Sequence, residues 1–294
     1  MPNVLGPRVV VAAPSSGAGK TTVATGLMAA LRGRGLVVAN AKVGPDFIDP
    51  GYHALATGRQ ARNLDAWICG PEVIPALAGR AGAGADVLVV EGVMGLFDGP
   101  ASTAETAALL DAPVLLVVDA AAMSGSVAAL VHGFSSFDPA VRIGGVVLNR
   151  VGSDGHEAML REALAPVGLP VLGVLRRDDA FAWRDRHLGL VPVVEQRSAV
   201  AQSLARLADA VAHGVDLDAV LALARTAPGR PVDDPPGARP VARRPVRIGV
   251  AGGPAFSFTY PDNLELLEQA GAELVPVDPV ADAALPDRLD GLYA

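Results

Sequence analysis

Short apolar runs alternate along the chain with alanine-rich stretches of the kind that form helices. Most of the runs are apolar at every position, which is typical of parallel strands buried on both faces of a sheet. The alternation predicts an α/β fold with a doubly wound, mostly parallel sheet, whose ligands bind beyond the carboxyl ends of the strands. The predicted strands are Arg8–Ala13, Leu36–Lys42, Val87–Glu91, Val114–Asp119, Ile143–Asn149, Val171–Leu175, Val246–Ala251 and Glu273–Val277. The predicted helices include Thr21–Arg32, Pro71–Arg80, Ala104–Leu109, Ser126–Phe134, Glu157–Ala165, Ala199–Ala212, Leu217–Ala224 and Asp262–Ala270.

The pattern changes after residue 225. Residues 226–245 contain six prolines and are predicted to form an extended linker. The strand–helix–strand pattern then restarts, and residues 290–294 resemble the start of another strand. The sequence therefore predicts a first domain at 1–225 and, at 246–294, the beginning of a second α/β domain. About fifty residues are too few for a complete α/β core, so we expect this second domain to be incomplete.

Composition and charge limit the class of protein. The chain has 294 residues, a net charge of −7 and one cysteine, Cys69, which fits a reducing compartment. The acidic balance argues against nucleic-acid or anionic-membrane binding. No apolar run approaches the ~18–20 residues of a membrane span, and the N-terminus does not resemble a secretion signal. We expect a soluble, cytoplasmic protein. No histidine is near Cys69 in sequence, and this cysteine is interpreted as a packed residue rather than a nucleophile.

Only two of the 24 Lys and Arg residues are lysines, and each lies at or beyond the end of a predicted strand. Lys20 belongs to a glycine loop, Gly17-Ala18-Gly19-Lys20-Thr21-Thr22, between the first strand and the first helix. Such a loop turns backbone N–H groups toward phosphate, while the lysine reaches the β/γ-phosphates and the Thr21 hydroxyl ligates Mg²⁺. Pro14 stands where the full pattern has glycine, so the match is to a variant form. The alternative is a glycine-rich helix start without a ligand, but the register favours a nucleotide, with ATP and Mg²⁺ as the expected cofactors.

The second lysine, Lys42, leaves its strand beside two carboxylates, Asp46 and Asp49, in a turn stiffened by glycine and proline. This arrangement suits a site that handles a phosphoryl group and Mg²⁺, although a salt-bridged turn is the alternative. Glu91 ends a run of four apolar residues, where nucleotide-hydrolysing folds hold a metal-binding acid. Asp98 follows in a glycine-rich loop and could orient the reacting carboxylate or close a turn.

Three further features are candidates for the same site. Asp65 could be a metal ligand, with a helix N-cap as the alternative. Asn149 ends a later strand, and its amide suits recognition of an adenine edge. A basic cluster in one loop suits a substrate with several carboxylates, with a solvated face as the alternative. Its members are Arg176, Arg177, Arg184, Arg186 and His187.

At these residues the chain resembles the cobyrinic acid and hydrogenobyrinic acid a,c-diamide synthases, which are glutamine-dependent amidoligases of corrinoid (cobalamin) synthesis. The likeness runs from about residue 8 to the last residue. It is carried by the motifs at 13–22, 42–50, 91–99, 186–190 and 255–264, the last of which opens the family's glutaminase domain. The first domain also looks like dethiobiotin synthetase. There the positions that match Thr21, Asp65 and Glu91 hold the metal, and the one that matches Asn149 meets adenine.

The resemblance implies an activity. ATP would phosphorylate the a and c side-chain carboxylates of the macrocycle, and ammonia would then displace phosphate to form each amide. A basic loop containing Arg186 and His187 would meet the other carboxylates. The remaining residues implied in catalysis or substrate handling are Lys20, Lys42, Asp46, Phe47, Ile48, Glu91 and Asp98.

The family's glutaminase cysteine and histidine lie beyond the position that matches Ala294. The chain is therefore interpreted as C-terminally truncated and unable to hydrolyse glutamine, so that ammonia would be free or come from a separate glutaminase. Rival interpretations are an inert ATP-binding fragment, dethiobiotin synthetase itself, and a partitioning-type ATPase switch, which would carry lysine where this chain has Ser15. The sequence leaves open the metal in the macrocycle (cobalt, nickel or none), the order of amidation and the oligomeric state, a homodimer included.

Overall fold

Seven parallel strands form the central sheet of the chain, whose computed structural model describes residues 3–177, 197–239 and 246–294. The first nine strands in chain order are β1 (Asn3–Leu5), β2 (Arg8–Ala12), β3 (Val38–Val43), β4 (Arg62–Leu64), β5 (Val87–Glu91), β6 (Val114–Asp119), β7 (Ile143–Val151), β8 (Val171–Arg176) and β9 (Arg230–Val232). The order across the central sheet is β4-β3-β5-β2-β6-β7-β8. Strands β2, β3 and β5 are buried at every residue, as their apolar character requires.

Helices cover both faces of this sheet. They are α1 (Lys20–Gly33), α2 (Asp49–Thr57), α3 (Ala66–Cys69), α4 (Ile74–Gly82), α5 (Thr103–Leu109), α6 (Ser126–Phe137), α7 (Asp154–Leu164), α8 (Arg197–Gly214) and α9 (Leu217–Arg225). Helices α1, α8 and α9 share one layer of buried apolar side chains with the sheet, and α4 to α7 share the other. The predicted doubly wound, parallel α/β fold is confirmed.

Several element boundaries differ from the sequence prediction for local reasons. Strand β3 begins at Val38 rather than Leu36, because α1 ends in a turn in which Gly35 has a φ of 85°. The helix predicted from Pro71 begins with a 3₁₀ turn, and its α-helical part starts at Ile74. Helix α2 was not predicted, because Asp49-Pro50-Gly51 looks like a turn. Proline is compatible with the first turn of a helix, where its missing N–H has no partner to lose.

Part of the segment predicted as a linker is paired with the N-terminus. Strand β9 lies antiparallel to β1, with Asn3 opposite Val232. The guanidinium of Arg8, which is fully buried, donates to the carbonyl oxygens of Leu110 (2.6 Å), Gly6 (2.8 Å) and Pro228 (3.0 Å). These bonds satisfy a buried charge and attach the segment after α9 to the central domain. The predicted domain boundaries stay a prediction.

The C-terminal segment forms a small sheet of its own. Its elements are β10 (Val246–Ala251), α10 (Pro261–Gln269), β11 (Ala272–Val277) and β12 (Gly291–Tyr293). The three strands are parallel in the order β11-β10-β12, and β12 is the strand that the last residues predict. Among all the described residues, no helix is long and apolar enough to cross a membrane.

Candidate active site

The loop between β2 and α1 wraps around the Lys20 side chain. The ammonium donates to the carbonyl oxygens of Ser15 (3.2 Å) and Met94, so Lys20 joins this loop to the loop after β5. Gly17 and Gly19 have φ angles of 78° and 95°, a region that favours glycine. Burial and the nearby Lys42 charge both lower the pKa of Lys20. The loop therefore presents a partly desolvated cation at the N-terminus of α1.

Asn149 braces this loop from the end of β7. Its side-chain amide donates to the carbonyl oxygen of Ala18 at 3.0 Å. A Cβ on Gly19 would lie 2.2 Å from the same amide nitrogen, so a glycine is needed for this close approach. The structure thus brings Asn149 to the glycine loop, and its contact with adenine stays a prediction.

A buried cluster of charged side chains lies beside the loop, where β3 and β5 end. Lys42 faces Glu91 across the two strands, and its ammonium lies 2.9 Å from Glu91 Oε1 and 2.6 Å from Asp49 Oδ2. The Thr21 hydroxyl donates to Glu91 Oε1 at 2.5 Å and lies 3.4 Å from Asp49 Oδ2. The structure therefore brings three predicted site residues, Thr21, Lys42 and Glu91, into direct contact.

His53 completes the cluster on the far side of Glu91. Its Nε2 lies 2.6 Å from Glu91 Oε2, and both side chains are fully buried. His53 Nδ1 is buried without a hydrogen-bond partner among the described residues. Both oxygens of Glu91 are thus engaged, one by Lys42 and Thr21 and the other by His53.

The charges in the cluster shift one another's pKa values. Burial opposes the charged form of Lys42, but attraction by Glu91 and Asp49 outweighs it and raises the pKa of this ammonium. Burial likewise opposes ionisation of Glu91, but Lys42 and the His53 hydrogen bond lower the pKa of this carboxyl well below its usual range. Burial and repulsion by Glu91 raise the pKa of Asp49 to about 6. Glu91 is therefore the permanent anion of the cluster.

The oxygens of this cluster fit a magnesium ion. Thr21 Oγ1, Glu91 Oε1 and Asp49 Oδ2 converge at the N-terminus of α1, and Mg²⁺ prefers such hard oxygen ligands. No group of three or more His, Cys, Asp and Glu side chains in the described residues forms a cation site by itself. In nucleotide-binding proteins, Mg²⁺ is usually held by one or two protein ligands together with phosphate and water.

Three other predicted residues lie in local turns. Asp65 Oδ1 accepts from the backbone N–H groups of Trp67 (2.9 Å) and Ile68 (3.0 Å), so Asp65 is the N-cap of α3. Asp98 Oδ2 accepts from Gly95 N at 3.0 Å and closes the turn after β5. A helix N-cap for Asp65 and a turn-closing role for Asp98 are the alternatives that the sequence left open. Asp46 likewise accepts hydrogen bonds from backbone N–H groups. The roles of Asp46, Asp65 and Asp98 in catalysis or metal binding stay predictions.

The remaining predicted substrate residues are placed as follows. The Phe47 ring stacks on Phe258 and Tyr260 of the C-terminal segment, and Ile48 precedes α2. Arg176 forms ion pairs with Asp154 and Glu157, both at 2.6 Å, as in the solvated-face alternative. Arg184, Arg186 and His187 lie outside the described residues.

The sequence placed Asp49 beside Lys42 in a candidate site but gave it no individual role, and it gave no indication of His53. Their i, i+4 spacing would place both on one face of a helix, but this signal is informative only once residues 49–57 are known to be helical. Both lie on α2, and that face meets Glu91.

Comparison with known proteins also assigns a nucleotide-binding domain to the part of the chain that contains this site. Residues 9–191 match the CobQ/CobB/MinD/ParA nucleotide-binding domain family (CbiA). A hydrogenobyrinate a,c-diamide synthase from Streptomyces coelicolor is 53% identical over 97% of this chain and 67% of its own length. A cobyrinate a,c-diamide synthase from Syntrophotalea carbinolica is 49% identical over 97% of this chain and 63% of its own length.

The chain belongs to the a,c-diamide synthase family. It spans 64 to 67% of the length of the first three curated relatives that it matches. Among solved structures, the Pyrococcus furiosus cell-division ATPase MinD covers 70% of the chain at 20% identity with a TM-score of 0.38, a likeness too low to bear on function. The resemblance stated from the motifs is confirmed, and the family's nucleotide-binding domain contains the loop, Lys42 and Glu91.

Proposed function

We propose that this chain carries out the amidation step of an a,c-diamide synthase, in the cytoplasm, on the a- and c-side-chain carboxylates of hydrogenobyrinic or cobyrinic acid. The observation that carries the proposal is the convergence of Lys20, Thr21, Lys42 and Glu91 at one edge of the sheet. Relatives about half identical in sequence, named for this reaction, support the choice of substrate.

The proposed reaction has two steps. A carboxylate oxygen attacks the γ-phosphorus of ATP, and the bond to the β-phosphate oxygen breaks to give an acyl phosphate and ADP. Ammonia then attacks the acyl carbon, loses a proton, and expels phosphate to leave the amide. Free ammonia, or ammonia from a separate glutaminase acting on glutamine, would supply the nitrogen.

Each residue of the cluster has a role in this proposal. Lys20, released from the carbonyl oxygens that it contacts, would stabilise the negative charge on the transferred phosphoryl group. Thr21 and Glu91 would hold Mg²⁺, which neutralises charge on the β- and γ-phosphates when bound. Lys42 would keep Glu91 and Asp49 oriented toward that metal, because its ammonium binds both carboxylates.

The test is phosphate release from MgATP in the presence of hydrogenobyrinic or cobyrinic acid, with ammonium in one reaction and glutamine in another. Product masses would be read in both. Turnover that needs the macrocycle and ammonium, with conversion of carboxylate to amide, is the expected result. ATP hydrolysis that is indifferent to the macrocycle, with no amide formed, would contradict the proposal and favour an ATPase switch. Tight ATP binding without turnover would favour an inert fragment.

A further inference from the structure

We propose that Phe258 and Tyr260, in the C-terminal segment, are positioning residues for the loop that joins β3 to α2. This inference rests on the proposed amidation, because that loop leads from Lys42 to Asp49. The argument depends on three observations: how the loop is held, what its tip contacts, and how the C-terminal segment is attached.

The loop is fixed on its inner side by polar contacts. Asp46 Oδ1 accepts from the backbone N–H groups of Ile48 (2.7 Å) and Asp49 (3.0 Å). The Asn63 amide on β4 donates to the carbonyl oxygens of Gly44 and Asp46, both at 2.8 Å. These bonds fix the backbone at each end of the loop. The Phe47 side chain lies between the two fixed ends and takes no part in these bonds.

Phe47 lies at the tip of the loop. Among the described aromatic residues, the rings that contact it both belong to the C-terminal segment. Its ring centroid lies 4.3 Å from that of Tyr260 and 5.4 Å from that of Phe258, with interplanar angles of 27° and 21°. Stacked pairs at such distances are favourable beyond the area that they bury. Phe47 is two residues before Asp49, which binds Lys42. The support of the Phe47 ring is therefore close in sequence to the buried cluster.

The C-terminal segment is also attached by charge, so its rings have a defined position. Arg62 on β4 binds Asp262 and Glu265 of α10, the latter at 2.5 Å, and Arg80 on α4 binds Glu265 at 3.0 Å. Asp262 is two residues after Tyr260. Because Arg62 is adjacent to Asn63, the same strand holds the loop and the segment that stacks on it.

The loop and the segment line a shared polar pocket of about 190 Å³ that is open on one side to solvent. Asp46, Phe47 and Asn63 line one side, and Ser257 and Thr259 line the other. Residues 257–260 thus alternate between the pocket (Ser257, Thr259) and the Phe47 ring (Phe258, Tyr260), as expected of extended backbone. The segment therefore helps to form the surroundings of the loop as well as supporting its tip.

The experiment compares the full chain with the double variant Phe258→Ala/Tyr260→Ala. Hydrogen exchange of residues 44–52 is followed by mass spectrometry, together with the KM for hydrogenobyrinic acid and the Kd for MgATP. We expect roughly tenfold faster exchange in residues 44–52, because two stacked pairs are lost. The KM should rise by a similar factor while the Kd for MgATP is unchanged, since the glycine loop keeps its own contacts.

Two variants serve as controls. Tyr260→Phe keeps the ring and should behave as the wild type. Phe256→Ala removes an exposed ring of the same segment that forms no ring contact with another described residue, and should also leave exchange and KM unchanged. Unaltered exchange at 44–52 in the double variant, or equal effects from Phe256→Ala, would overturn the inference. Absence of macrocycle-dependent turnover in the wild type would instead overturn the proposed amidation, and the exchange result would still decide the positioning role.

Discussion

At the scale of single residues, the site depends on how each buried charge is compensated. Glu91 is fully buried yet binds Lys42, Thr21 and His53, so its charge is stabilised by three donors. Among the described residues, Lys20 donates hydrogen bonds to two carbonyl oxygens, and its charge is disfavoured by burial and by Lys42. The two lysines therefore differ: Lys42 is a structural counter-ion, and Lys20 is the cation that is free to exchange partners.

We predict that Lys20→Met will abolish most activity without destabilising the fold. Loss of one group that stabilises transition-state charge lowers turnover by about 10²–10³-fold. Because the pKa of Lys20 is lowered in the folded protein, removal of its charge should leave the melting temperature unchanged or slightly raised. Phosphate release and thermal unfolding measure the two effects. Arg34→Met is the control, because Arg34 forms an exposed ion pair with Asp218 of the kind worth little. A Lys20 variant with nearly normal turnover would remove this residue from the proposed mechanism.

A second prediction concerns His53. Replacement by leucine should lower the free energy of unfolding by about 1–3 kcal/mol, because Glu91 Oε2 loses its donor while remaining buried. Replacement by glutamine, which can still donate a hydrogen bond, should recover part of this loss. Urea unfolding of both variants is the measurement. Equal stability of His53→Leu and the wild type would show that the His53–Glu91 contact does not stabilise the fold.

At the scale of elements, the junction of β2 with α1 is the most constrained part of the site. We predict that Gly19→Ala will destabilise the protein by about 1–2 kcal/mol, because residue 19 has a left-handed backbone conformation. The same variant should also weaken MgATP binding, because the new Cβ would clash with the Asn149 side chain. Gly35→Ala is a matched control, since Gly35 has a similar φ of 85° with no atom within 4 Å of the added Cβ. Both variants should lose stability, and only Gly19→Ala should lose nucleotide affinity in a titration. Equal affinities in the two variants would contradict the steric argument.

The elements that sequence predicts best are those with the strongest local pattern. Strands β2 and β5 and helix α1 were predicted to within about two residues, because their apolar character and the glycine loop are local signals. Strand β4 was missed because three residues at a sheet edge carry too little pattern. The contacts of Lys42 with Glu91 could be anticipated from the common edge of a parallel sheet. The position of His53 could not, because it depends on where α2 packs.

At the scale of the whole molecule, the described C-terminal segment contacts the central domain through an aromatic stack and a group of ion pairs. The Phe47 stack and the Arg62 ion pairs use residues two positions apart in the segment, Tyr260 and Asp262, and strand β9 pairs the intervening chain with β1. None of these contacts is visible in the sequence, because each joins residues far apart in the chain. The charged contacts make the docking sensitive to pH and to salt, which gives a way to measure it.

We predict that docking of the C-terminal segment weakens in acid through Glu265. Partial burial opposes ionisation of Glu265, but hydrogen bonds and attraction from Arg62 and Arg80 outweigh it and lower the pKa of this carboxyl. A lowered folded-state pKa gives stability that is present above the ordinary pKa of glutamate, about 4.3, and is lost as the pH falls through the folded value. The difference in unfolding free energy between the wild type and Glu265→Gln should therefore be constant above about pH 6 and shrink below about pH 4. Glu268→Gln, on the exposed side of the same helix, is the matched control. A parallel response of the two variants would assign the effect to α10 as a whole rather than to the Arg62–Glu265 pair.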